Sequence, residues 1–283
     1  MGFESRVVNS GEIINKGVGI TLQATPLKIG GFDWDVQMNF SKNKYELKEL
    51  AEGVDNIYLG GFVSPQIRAD QEHGYGVIWG QGLKYNDNGE LVINEYGYPM
   101  LEEELGPIGN VQPDWTGGIR NTFSFKGLSL SALIDVRKGG DILNFDQYYM
   151  VFYGTAKVTE NRNQTKVWEG VHEDGTPNET AIMQDGPYFR DFYSNIDEFF
   201  VEDGSFVKLR EISLAYSLPT KLMKKIPFSS LSVSVTGRNL WIDSDFTYGD
   251  PEGSLYGNGN SQGFYHMVTP STKGLTFGLK ATL

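Results

Sequence analysis

The last nine residues, Leu275-Thr-Phe-Gly-Leu-Lys-Ala-Thr-Leu283, alternate between apolar side chains and polar or small ones without a break. Successive strand side chains point to opposite faces, so Leu275, Phe277, Leu279, Ala281 and Leu283 share one face and Thr276, Gly278, Lys280 and Thr282 the other. The same period recurs upstream. Ile20, Leu22 and Ala24 alternate with Thr21, Gln23 and Thr25, a Pro/Gly turn follows at residues 26–31, and Trp34, Val36, Met38 and Phe40 then alternate with Asp35, Gln37, Asn39 and Ser41. Residues 119–125 and 128–136 read as strands separated only by Lys126-Gly127. Residues 206–216 and 231–238 pair across a segment bounded by Pro219 and Pro227, which has room for one helical turn. Within 206–216 the phase changes, because Val207 and Leu209 are odd whereas Ile212, Leu214 and Tyr216 are even. That change predicts a β-bulge near Arg210 and Glu211.

Three long connections separate these hairpins, at about residues 43–118, 137–204 and 239–274. Short turns that alternate with long loops are the rhythm of an antiparallel transmembrane β-barrel, and that all-β fold class is expected here. Leu128, Leu130, Ile134, Leu231, Val233, Val235, Phe277 and Leu279 then face lipid, while Ser129, Ser131, Ser232, Ser234, Thr236 and Lys280 face the lumen. The short turns are periplasmic and the long connections extracellular. The first connection contains a small hairpin at Asn88-Gly89 and an acidic run, Glu102-Glu103-Glu104, that reads as a solvated loop. The second is rich in Asn, Asp, Gly and Tyr without a period, which fits a functional or a disordered loop. A secreted β-sandwich that binds carbohydrate is the alternative. The two differ in what the apolar faces meet, lipid or a second sheet.

Composition narrows the picture. Thirty-five glycines in 283 residues argue against a helical bundle. The formal charge of -12 repels nucleic acid. With no cysteine there is no disulfide, thiolate nucleophile or Cys-ligated metal to consider. The first residues lack the pattern of a signal peptide, and no apolar run reaches the roughly 18 residues of a membrane helix, so a membrane location requires strands and any export signal lies outside these residues.

No catalytic constellation emerges. His73, His172 and His266 lie far apart without zinc-site spacing. Asp243, Asp245, Asp250 and Glu252 offer oxygen ligands suited to Ca²⁺, but a solvated loop face is the expectation and no cofactor is anticipated. A glycosidase needs two carboxylates at a defined separation, which these residues alone do not define. Gly257-Asn-Gly259 lacks the Lys-Ser/Thr of a phosphate loop and reads as a loop tip. Aromatic residues of the second connection, Tyr148, Tyr149, Phe152, Tyr153 and Trp168, are suited to stacking on sugar faces. A membrane-interface girdle or packing within the loop is the plainer reading. Tyr148, Tyr149 and Trp168 are the candidate ligand-binding residues.

Several motifs recur in a particular order. They are Asn9-Ser-Gly-Glu-Ile-Ile-Asn-Lys-Gly17, Phe32-Asp-Trp-Asp35 with Asn39-Phe-Ser-Lys-Asn43, Pro113-Asp-Trp-Thr-Gly-Gly118, and Leu128-Ser-Leu130 with Asp135-Val-Arg-Lys-Gly-Gly140. Residues 202–219, Gly237-Arg-Asn-Leu240 and Asp250-Pro-Glu252 complete the set. Together they resemble the C-terminal barrel portion of SusC/RagA-type TonB-dependent outer-membrane transporters, nearly end to end. Gly19 departs from the Glu usual in that family, and Leu283 from the common aromatic terminus. The resemblance implies a barrel of about 22 strands around a plug. At about 9 to 11 residues per strand, that barrel exceeds this chain, so the plug, the TonB-engaging segment and the first strands would precede Met1. The complete protein would be a transporter and not an enzyme. It would import oligosaccharides, glycans or peptides across the bacterial outer membrane, energised through TonB and capped by a SusD-type surface lipoprotein.

Overall fold

The computed structural model describes residues 11–223, 227–257 and 259–283. Residues 1–10, which include the start of the Asn9 motif, lie outside the described residues, as do 224–226 between the two prolines and Asn258 of the loop tip.

Two 19-residue strands, β1 (Gly11–Ile29) and β2 (Phe32–Leu50), are joined by Gly30-Gly31. Both glycines have positive φ, the requirement of a two-residue type I′ hairpin turn. The turn is therefore shorter than the expected 26–31. Pro26 is absorbed in β1 at a register shift between Ala24 and Leu27, on an edge strand where its missing N–H disrupts little. The first connection carries β3 (Asn56–Gly61), β4 (Gln66–Asp70), β5 (Gly74–Gly80) and β6 (Gly106–Asn110), which form one sheet. Next come β7 (Trp115–Phe125) and β8 (Leu128–Lys138), turned by Lys126-Gly127, again both at positive φ. The second connection contains β9 (Asp141–Asn144), α1 (Phe145–Phe152), β10 (Thr165–Val167), β11 (Ala181–Met183) and β12 (Val201–Asp203). β13 (Phe206–Ser217) and β14 (Ser230–Asp243) flank α2 (Thr220–Met223), the helical turn expected between the prolines. β15 (Phe264–Tyr265) lies in the third connection and β16 (Gly274–Thr282) closes the chain.

Seven strands form one antiparallel sheet in the order β1-β2-β7-β8-β13-β14-β16. Its register shifts between Leu209 and Glu211 against both neighbours, which places the bulge at Arg210 as the phase change predicts. Rows of direct partners cross the sheet. Phe32, Phe125, Leu128, Tyr216, Val233 and Leu279 form one row, and Trp34, Phe123, Leu130, Leu214, Val235 and Phe277 the next. The opposite face carries Asp35, Thr122, Ser131, Ser213, Thr236 and Thr276 in register. Hydroxyls there bond across strands, with Thr122 Oγ1 donating to Ser131 Oγ at 3.2 Å and the Ser213 and Thr236 hydroxyls hydrogen-bonded at 2.8 Å.

All three short turns lie at one end of this sheet and all three long connections at the other. The long connections are not independent loops. Ile67 and Ile78 from the first, Leu143, Val151, Tyr188 and Phe200 from the second and Phe264 from the third share one buried core. The second connection is therefore ordered. Strands also extend beyond the expected loop edges, β2 reaching Leu50 and β14 Asp243. Past Phe40 the even-numbered positions of β2 turn charged while Tyr45 and Leu47 place apolar side chains on the opposite face, and this change of side hides the period there.

Another unit inside this cap was invisible to the apolar pattern. Lys84 N–H bonds to Met100 O, Met100 N–H to Val92 O and Val92 N–H to Lys84 O, at 2.8–2.9 Å, so three short segments spaced eight residues apart close a ring. The links are Asn86-x-x-Gly89 and Asn94-x-x-Gly97 turns, in which each Asn Oδ1 accepts two backbone N–H groups. The first of these is the hairpin expected at Asn88-Gly89.

Candidate functional site

Helix α1 presents the densest aromatic surface of the cap. Its N-cap, Asn144, is fully buried and accepts from Gln147 N–H, while its Nδ2 donates to Glu202 Oε1 and to the Thr247 carbonyl, at 3.0 and 2.7 Å. The helix start is thereby tied to the third connection. Tyr148 stacks on Phe145 at 4.9 Å and meets Phe200 edge-on at 5.6 Å, which places it in the packed layer, where burial pushes its phenol pKa up. Tyr149 points the other way. It is 37% exposed, with its ring stacked on His266 at 5.4 Å and on Tyr153, itself 71% exposed, at 6.5 Å. His266 Nδ1 lies 3.0 Å from Asp146 Oδ1, which fixes the imidazole beneath Tyr149.

Trp168 is held by its neighbours. Its ring is parallel to Phe199 at 5.8 Å, the Lys166 ammonium sits 3.3 Å from the ring centre, and Asn178 Nδ2 donates to its carbonyl. From Trp168 a run of rings passes through Phe199, Tyr193 and Phe200 to Tyr148. The three candidate residues thus belong to one aromatic body, with Tyr149 exposed at its surface and Tyr148 and Trp168 half-buried against the core. Sequence reasoning missed the spine that joins them. The cluster Tyr188-Phe-Arg-Asp-Phe-Tyr193 and the pair Phe199-Phe200 were its visible signal.

The run Glu102-Glu103-Glu104, read as a solvated loop, lines a cleft of about 670 Å³ with Lys84, Tyr85 and Glu198. Asp197, beside it, accepts from Ser64 Oγ at 2.7 Å and Gln81 N–H at 2.9 Å, and burial pushes its pKa up. The charge distribution is strongly uneven. Of the 36 Asp and Glu, 27 lie in the connections 51–114, 139–205 and 244–273, against 7 of the 24 Lys and Arg.

The four carboxylates considered for Ca²⁺ separate into two groups. Asp250 and Glu252 are taken up by the wall. Lys208, 2% exposed, reaches Asp250 Oδ2 at 3.2 Å and Glu252 Oε2, and Arg210 donates to Glu252 Oε1 at 2.6 Å and Asp135 Oδ2 at 2.7 Å. Asp250 is only 6% exposed, so the solvated-face expectation does not hold for it. Burial opposes its ionisation, yet donation from Ser271 and from the Glu252 N–H holds its pKa below the ordinary carboxylate range. Asp243 and Asp245 instead border a cleft with Arg137 and Lys138. The histidines also stay apart, His73 on Asp70, His172 against the Ile93 carbonyl and His266 on Asp146.

Among the described residues, an antiparallel sheet with an uncovered apolar face and one-sided connections defines a membrane-protein class, and comparison with known proteins narrows it. No protein-family model matches the chain. Two TonB-dependent receptors of Formosa agariphila, P3 and P26, are 26% and 28% identical over 98% and 99% of this chain. TonB-dependent receptor SusC of Bacteroides thetaiotaomicron is 23% identical over 86% of it. The chain spans about three-tenths of the length of P3 and P26, 29% and 30%, and 24% of SusC. Among solved structures, that of the RagAB peptide transporter superposes with a TM-score of 0.70 at 22% identity, over 99% of this chain and 30% of the matched one. The chain is similar to TonB-dependent receptors of the SusC type over nearly its whole length and shares the fold of the RagAB transporter, and its place is the outer membrane. The proteins it matches are named as receptors and a transporter, not as enzymes.

Proposed function

We propose that these residues form the C-terminal part of a closed transmembrane barrel and that the 51–114, 139–205 and 244–273 connections build its extracellular mouth. One observation carries this reading. The apolar face of the sheet, with Phe277 80% and Leu279 74% exposed, is bounded by aromatic residues at two heights, Phe32, Phe125 and Tyr216 near the short turns and Phe40 and Trp115, 5.8 Å apart, near the long connections. At about 3.4 Å per residue and a tilt of about 40°, the eight to ten residues between these heights span roughly 20 to 26 Å, close to the apolar band of an outer-membrane barrel. A β-sandwich would cover this face with a second sheet. The exposure of Leu128, Leu130, Ile134, Leu214 and Val233 argues against that alternative.

The complete protein, on this reading, imports an oligosaccharide, glycan or peptide with energy delivered through TonB, which engages a part of the protein beyond this chain. A SusD-type surface lipoprotein sits over the mouth. The names of the relatives, SusC and the RagAB peptide transporter, support import in general. Tyr149 is the ring proposed to meet ligand, and Tyr148 and Trp168 support it from within. No cofactor is invoked. Labelling single-cysteine variants in intact outer membranes tests the wall. Cysteine at Phe277 should resist a water-borne reagent while cysteine at Lys280 reacts, and equal labelling would refute the barrel.

A further inference from the structure

Just beyond Phe40 the outward face of β1, β2 and β8 changes from apolar to basic, whereas on β14 the outward Trp241 is followed by Asp243. On β2 the outward Val36, Met38 and Phe40 continue as Lys42 and Lys44, and on β1 the outward Ile20 and Val18 continue as Lys16. On β8 the outward Ile134 and Val136 continue as Lys138, the direct partner of Trp115 on β7. Lys16 and Lys44 are opposed across the β1–β2 ladder, and Lys42 faces Val18. The Lys16, Lys44 and Lys138 side chains are 66%, 75% and 56% exposed.

Like charges placed directly opposite one another destabilise a strand pair, and the local offset is thin. Glu46 lies 3.3 Å from both Lys16 and Lys44, and Lys138 is a loose 3.8 Å from Asp203. Lys42 forms no ion pair among the described residues. This strip is opposite in sign to the acidic connections above it. It is also continuous with the apolar band below, and Phe40 and Trp115 lie at the junction. A free anion would use only the charged half of such a surface. An amphiphile with an anionic head would use both halves.

We propose that Lys16, Lys42, Lys44 and Lys138 dock the phosphate groups of an anionic lipid in the outer leaflet, whose chains lie against the apolar band. The inference rests on the membrane-wall reading. Lysine stems carry their ammonium groups from the apolar rim out to the headgroup level, and each lysine near an anionic surface strengthens binding about fivefold.

The test uses the intact receptor purified from outer membranes in neutral detergent. It is titrated with lipid A, a glycolipid carrying two phosphates, and separately with phosphatidylcholine and inorganic phosphate, and the melting temperature is followed. Lipid A should stabilise the wild type, and K42Q/K44Q should need roughly 25-fold more lipid for the same shift. K42R/K44R should match the wild type, and K157Q, in the cap, should leave the titration unchanged. An unaltered titration for K42Q/K44Q overturns the proposal, as does equal stabilisation by inorganic phosphate, which would make the strip a general anion site. Protection of a cysteine at Phe277 together with an unaltered K42Q/K44Q titration would reject the lipid strip alone and leave the wall reading standing.

Discussion

The sheet and the cap place the same kinds of residue in opposite situations. In the cap, Ile67 and Phe264 are fully buried and Tyr188 is 2% exposed, so its connections fold as a small water-soluble domain would. In the sheet, Phe277 is 80% exposed and no other described layer covers the apolar rows. Burial of apolar surface drives folding at about 25 cal/mol per Å² only where that surface leaves water. The cap meets this condition within itself, and the sheet meets it only in hydrocarbon. Charge divides along the same line, with most carboxylates in the cap.

Truncation in the cap core should give the largest effect that separates the two regions. Phe264→Ala empties a site walled by Phe62, Phe145 and Tyr256 and should cost about 3 to 5 kcal/mol. Limited proteolysis of the full-length receptor should show faster cutting within 51–114, 139–205 and 244–273 while the heat-modifiable barrel band persists. Loss of that band together with the cap would mean that the two regions are one folding unit.

The junction between them comes next. Lys208→Met leaves Asp250 buried without its cation and should cost about 3 to 5 kcal/mol of cap attachment. The same junction gives a pH dependence. Asp250 and Glu252 are both held below the ordinary carboxylate range, Glu252 because donation from Arg210 and Lys208 outweighs its burial. Their stabilisation is therefore fully present above that range and is lost as pH falls through the depressed folded values, below about pH 4. Proteolysis of 244–273 in the wild type should accelerate in that window, and in Lys208→Met it should be fast already at neutral pH.

How much of this was readable in the sequence follows the same division. Period-2 alternation reveals the strands, the two-residue turn at Lys126-Gly127 and the bulge at Arg210, because one face of these strands is mostly apolar over its middle stretch. Past Phe40 the outward residues become Lys42 and Lys44 while the apolar Tyr45 and Leu47 fall on the other face, so the alternation changes side and the upper part of β2 reads as loop. The cap left no period because its core is assembled from short pieces of three connections, so Phe264 finds Ile67 and Leu143 only in three dimensions. Tyr148, Tyr149 and Trp168 were legible as aromatic loop residues, but nothing local distinguishes Tyr149, at the surface, from Trp168, stacked on Phe199. The pairing of Asp250 and Glu252 with Lys208 and Arg210 was equally hidden, since about forty residues separate the partners.

Within the sheet, parity should decide the cost of a charge. Leu130→Arg, in the middle of the outward face, should cost about 2 to 4 kcal/mol, whereas Ser131→Arg, one residue further on and facing the polar side, should cost far less. Surface levels and the heat-modifiable band of each variant report this directly. Equal losses for the two variants would remove the distinction between the faces and with it the membrane wall.

The smallest expected change in stability is the most informative about function. Tyr149→Ala removes a ring that is over one-third exposed and should change cap stability by about 0.5 kcal/mol or less. Trp168→Ala removes a ring wedged against Phe199 and Lys166 and should loosen the cap by about 2 kcal/mol or more. If Tyr149 meets the imported ligand, growth on the transported substrate, or co-purification of the surface lipoprotein, should fall in Tyr149→Ala at unchanged protease resistance. In Trp168→Ala any functional loss should instead track the loosening of the cap. Normal growth and co-purification in Tyr149→Ala would return that ring to a packing role against His266 and leave the mouth without an identified ligand contact on α1.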